Sequence, residues 1–199
     1  MLQSVKSSKI LVIILLILIS TGTSYSQEWN SARLTILSGS TIPFNFNSLD
    51  KFKKGIEISN GTRFGITLAD SSKVGHTLEG FVLNFRTFNN QGTIKGDVYT
   101  LPLNRIRVKA ESIIGFEKGV VFSNGFVNLT PDWSQLLSYK VDLTTVPWKN
   151  LNWLNDQLNV AYECGKPISE GGNGTLIGEE PDYYNVEIEF ELVPTGPGF

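Results

Sequence analysis

From Tyr184 to Leu192 apolar and polar side chains alternate without a break. Tyr184, Val186, Ile188, Phe190 and Leu192 fall on one face, and Asn185, Glu187, Glu189 and Glu191 on the other. A period of two is the mark of a strand that rests one face on a core and turns the other to water. Ile106, Val108 and Ala110 alternate with Arg105, Arg107 and Lys109 in the same way, so this strand turns basic residues outward, where they can pair with an acidic strand. Further strands are expected at Leu34–Leu37, Ile56–Ser59, Arg63–Ala69, Gly80–Phe88, Val120–Phe122, Ser138–Leu143 and Leu158–Cys164. Turn formers separate them: Asn60-Gly61, Asn89-Asn90-Gln91-Gly92, Asn124-Gly125 and Gly171-Gly172-Asn173-Gly174. Asn60-Gly61 and Asn124-Gly125 are expected to close two-residue hairpins, whose central positions need positive φ. Helix is confined to two short turns. One is capped by Ser48 and stopped at Gly55, and the other starts at Thr130-Pro131-Asp132 and carries Trp133 and Leu136-Leu137. The pattern predicts an all-β chain, folded as a single antiparallel sandwich.

The amino terminus departs from this pattern. Lys6 and Lys9 precede an unbroken apolar run from Ile10 to Ile19, and a small polar stretch follows, ending at Ser26. That order is the order of a secretory signal peptide. The run is half the roughly twenty residues that a membrane-spanning helix requires. Ser24 and Ser26 place the expected cleavage before Gln27, and no cysteine stands nearby to carry a lipid. The expected organisation is a signal peptide over 1–26, a sandwich domain over 27–193 and a flexible tail over 194–199. Pro194 and Pro197 deny that tail the donors of a central strand. The expected product is exported to the periplasm, the cell surface or the medium, is not a lipoprotein and has no membrane span after signal removal.

Charge narrows the partners. Removing Met1 to Ser26 takes away two lysines and no acid, leaving 15 basic and 19 acidic side chains, a balance without the basic footprint of a nucleic-acid binder. Cys164 is the only cysteine and His76 the only histidine. No intrachain disulfide can form, zinc clusters of the His/Cys kind are excluded, and Cys164 reads as a buried strand residue. No G-x-S-x-G elbow, phosphate-binding glycine loop or H-E-x-x-H helix occurs. Glu187, Glu189 and Glu191 project from one strand face and do not oppose one another across a cleft, as glycoside hydrolysis requires. Glu170, Glu179, Glu180 and Asp182 surround the glycine-rich loop without the spaced ladder of a calcium loop, and read as solvated. No catalytic residue, cofactor or metal is expected.

Two candidate sites remain. Trp133, Trp148 and Trp153 lie in one segment, with Asn152 beside the last. Aromatic rings next to amides suit a carbohydrate platform, and tryptophans equally fill a sandwich core. The second candidate is an edge for strand addition, formed by the first mature strand or by Tyr184, Val186, Ile188, Phe190 and Leu192. Asn60-Gly61-Thr62, Asn128-Leu129-Thr130 and Asn173-Gly174-Thr175 match the N-glycosylation sequon, which matters only in a eukaryotic host.

The leader, the Gly65–Ala69 run, the segment Leu101-Pro102-Leu103-Asn104-Arg105-Ile106-Arg107-Val108 and the closing Tyr184–Leu192 strand resemble small secreted surface proteins of Gram-negative bacteria. Among these, the general plan is similar to fimbrial subunits and spore-coat-U-type proteins. The resemblance implies an immunoglobulin-like, pilin-like sandwich that assembles through strand addition. The chain departs from the pilin pattern in lacking a cysteine pair and in having only Gln27 to Ala32 before its first strand, which argues against donor-strand polymerisation. The resulting expectation is a non-catalytic surface, adhesive or matrix protein that meets its own copies or another surface protein. The alternative is a carbohydrate-binding module whose partner is a glycan.

Overall fold

The structure is a computed structural model, and it describes residues 31–69, 78–115, 119–140, 151–152 and 154–196. Two antiparallel sheets pack face to face. The larger has the order β1 (Ser31–Ser38), β2 (Ile56–Ala69), β10 (Gln157–Cys164), β6 (Ile106–Ile114), β8 (Val127–Asn128). The smaller has the order β11 (Ile188–Thr195), β3 (Gly80–Thr87), β9 (Ser134–Lys140), β7 (Val120–Phe122). A separate hairpin joins β4 (Thr93–Lys95) to β5 (Thr100–Pro102). The all-β antiparallel sandwich expected from the alternation is therefore the fold.

Alternation also accounts for the core. Phe64, Ile66 and Leu68 of β2, Phe81, Leu83 and Phe85 of β3, and Leu158, Val160 and Tyr162 of β10 are buried between the sheets. Each large side chain removed from water in this way contributes about 1.5–3 kcal/mol. Ile188, Phe190 and Leu192 face the same core, with the Phe190 ring centroid 4.9 Å from that of Phe64 and 6.2 Å from that of Phe85. Helix α1 (Leu49–Lys54) forms where Ser48 was expected to cap it. The Ser48 hydroxyl accepts from the Lys51 N–H at 3.4 Å, and Gly55 ends the helix at φ 73°.

Several local expectations are overturned. Asn60-Gly61 does not close a hairpin: β2 runs through it as one strand, with a bulge opposite Ala161. Asn60 takes the expected positive φ of 52°, but the Tyr162 ring packs where a Cβ on Gly61 would stand, at 2.8 Å, so β10 holds both halves of β2 in line. Asn124-Gly125 does not join paired strands either, because β7 pairs with β9 in one sheet and β8 with β6 in the other. The turn crosses the sandwich. The second helical turn is a strand. Thr130 does not act as a helix cap, since its hydroxyl donates to the Asp132 carbonyl at 2.7 Å, and Leu136 sits in a bulge of β9 that lets it and Leu137 both turn inward. Two adjacent buried leucines break the period of two, and that irregularity is what resembled a helix. Finally, β11 reaches Thr195, so Pro194 belongs to the sandwich and not to the tail.

Candidate functional site

The two flanks of the sandwich are built differently. One ends in β7 and β8, strands of three and two residues. The other ends in β1 and β11, of eight residues each, which lie beside one another with no ladder between them among the described residues. Short edge strands are a common way to blunt a sheet, whereas long ones leave a row of unmet donors and acceptors.

The register of β11 fixes which groups those are. The Phe88 N–H donates to the Glu187 carbonyl at 2.9 Å, and Asn185 exchanges both of its backbone bonds with Lys95 of β4, at 2.7 and 3.1 Å. Odd-numbered residues from Asn185 to Thr195 thus direct their backbone groups toward β4 and β3. The even-numbered ones, Tyr184, Val186, Ile188, Phe190 and Leu192, direct theirs to the free side. These are the residues that the sequence marked for strand addition. Their side chains pack on the core while their backbone N–H groups line the edge. Pro194, opposite Phe81, is the next in the row; its missing N–H costs the ladder nothing and ends the run of outward donors.

The tryptophan platform is only partly described. Trp148 and Trp153 lie outside the described residues. Trp133 precedes β9 at the Thr87 end of β3, on the outer face of the smaller sheet, and is 37% exposed. The Arg86 guanidinium lies 4.1 Å from its ring centroid, held there by Glu189 at 3.0 Å and by the Asn90 side-chain oxygen at 2.9 Å. Asn89 and Asn90 both take positive φ in the turn that brings that oxygen within reach. Asn152 is not near Trp133: it follows Leu151, which bridges Leu68 near the last residues of β2, and its backbone N–H donates to buried Asp156 at 2.6 Å.

Two of the remaining polar candidates, Glu179 and Asp182, serve the fold. Glu179 pairs with Arg105 at 2.8 Å, and Arg105 also donates to the Asn173 carbonyl at 2.8 Å, so the glycine-rich loop is fastened over buried Leu176. Asp182 accepts from the N–H groups of Tyr99 and Val98, each at 2.8 Å, and these bonds hold its carboxyl below the ordinary value of 3.8. The acidic stretch expected to be solvated thus spends two of its carboxylates on structure. Arg105 and the β4–β5 hairpin were invisible as a unit in the sequence, because Ile94 and Leu101 alone mark two three-residue strands. Cys164 is buried in β10 as expected, and burial pushes its thiol up to about 12, so it stays protonated at neutral pH. His76 lies outside the described residues. Among the described residues, the candidate groups for meeting a partner are the long edges of β11 and β1 and the Trp133–Arg86 pair. No protein-family model matches this chain, and no curated protein matches it either.

Proposed function

We propose that this is an exported, non-catalytic surface or matrix domain that acts through protein contacts, pairing its β11 edge with a strand of another copy or of a second surface protein. The observation that carries this reading is the row of outward backbone groups on Tyr184, Val186, Ile188, Phe190 and Leu192, on a flank whose strands are long while the opposite flank is blunted. A free edge of this length is a liability for a monomer and an asset for a protein that gains a strand on assembly. The likeness to fimbrial and spore-coat-U-type subunits points the same way.

Hydrogen exchange tests it, because the edge predicts an alternating pattern. In dilute protein the amides of Ile188, Phe190 and Leu192 exchange quickly while those of Glu189 and Glu191 are protected. As concentration rises and light scattering reports association, the even-numbered amides become protected as well. Even-numbered amides that are already protected in dilute protein, or that stay open in an associated form, overturn the reading. A monomer that binds a defined glycan, and loses it on Trp133→Ala, transfers the function to the carbohydrate alternative.

A further inference from the structure

The sequence contains three Asn-Gly pairs, and the structure places them in three different settings. In such a pair the backbone nitrogen of the glycine can attack Cγ of the asparagine side chain. A nitrogen–Cγ bond forms, the Cγ–Nδ2 bond breaks, and ammonia leaves with the proton of the attacking amide. Water then opens the five-membered imide at either carbonyl, giving aspartate or isoaspartate. No oxidation is involved, and water is the only co-reactant. The reaction needs a free side-chain amide, a free glycine N–H and a backbone able to bring them together.

Asn173 meets none of these needs. Its Nδ2 donates to the Asn104 carbonyl at 3.1 Å and to the Asn128 side-chain oxygen, its own carbonyl accepts from Arg105, and the Gly174 N–H is taken by the Lys166 carbonyl at 3.0 Å. Asn60 is held inside β2, its N–H on Glu111 at 2.6 Å and Gly61 against the Tyr162 ring. Asn124 is exposed in the crossing between β7 and β8. Gly125 has φ 74°, and a Cβ built there meets nothing within 4 Å. Neither residue's amide is bonded to a described residue. We infer that Asn124 is a site of spontaneous deamidation, selected over Asn60 and Asn173 by the fold. The product adds a negative charge and, as isoaspartate, one more backbone carbon to the crossing that lays Phe126 over Arg107 and Lys109.

The test is peptide mapping by mass spectrometry after incubation of the purified protein at mildly alkaline pH, native and in denaturant, with isoaspartate distinguished by its chromatographic shift. Native protein is expected to convert Asn124 about tenfold or more faster than either other site, the ratio set by a local opening cost of about 1.4 kcal/mol. In denaturant the three rates converge. A native ratio near one, or a preference that persists unchanged in denaturant, overturns the assignment.

Discussion

Glu163 is 2% exposed on the outer face of β10, where it is bonded to Arg107 across the strand pair, and Lys166 stands 3.8 Å from its second oxygen and 3.4 Å from Glu57. Of the basic face of β6 only Arg107 meets an acid on the neighbouring strand, because β10 carries a single glutamate and the acidic β11 lies in the other sheet; that one pair is nearly dry. Removing one partner from such a pair leaves a charge that water cannot reach. Arg107→Ala is expected to cost about 3–5 kcal/mol in urea unfolding, and joint replacement of Arg107 and Glu163 by apolar residues to recover most of it. Tyr162 is another residue whose chemistry is set by burial. Its hydroxyl shares a 2.8 Å hydrogen bond with Thr62, which donates to the Gly39 carbonyl at 2.7 Å. Burial pushes the phenol up to about 12, against a lowering contribution from Thr62. A raised phenol pKa means that the folded state prefers the neutral ring. The stability it supplies is full below the ordinary value of 10 and is lost as pH rises through about 12. Spectrophotometric titration should therefore show tyrosine ionisation extending to late pH together with unfolding, and Tyr162→Phe should remove the contribution near 12 at a cost of about 1 kcal/mol.

At the level of elements, the sequence could be read wherever one period held for a whole strand. β3, β6, β10 and the core-facing set of β11 lie where alternation placed them. The misreading at Asn60-Gly61 has a plain physical cause: positive φ can be used inside a strand as well as between strands. Asn60 adopts the conformation its type favours, and the long-range contact of Gly61 with Tyr162, about a hundred residues away in sequence, decides that the result is a bulge. Gly61→Ala is expected to destabilise the fold by about 1–3 kcal/mol, since the added carbon must displace the ring, and calorimetry would register it. The bulge at Leu136 is likewise a decision of the sheet, made because Leu83 and Asn84 must both find partners in β9. The site was legible to the same degree. The edge residues followed from alternation alone, whereas the Trp133–Arg86–Glu189 cluster depends on three strands meeting and leaves no local signal.

Across the whole molecule, the long loop after β10 is tied down by side chains of the elements around it. Arg105 grips the Asn173 carbonyl and Glu179, and Leu176 fills the space beneath. Arg105→Ala should release the loop without unfolding the sheets, seen as faster proteolytic cleavage between Lys166 and Glu180 with little change in the main thermal transition. The two long edge strands carry a different consequence. β11 and β1 belong to different sheets, so the stoichiometry of any assembly records which of them meets. If β11 joins β11 of a second copy, a two-fold axis closes the pair and growth stops at two. If β11 joins β1 of the next, every complex keeps one unused edge at each end, and the same backbone that stops at a dimer in the first case runs on as a fibre in the second.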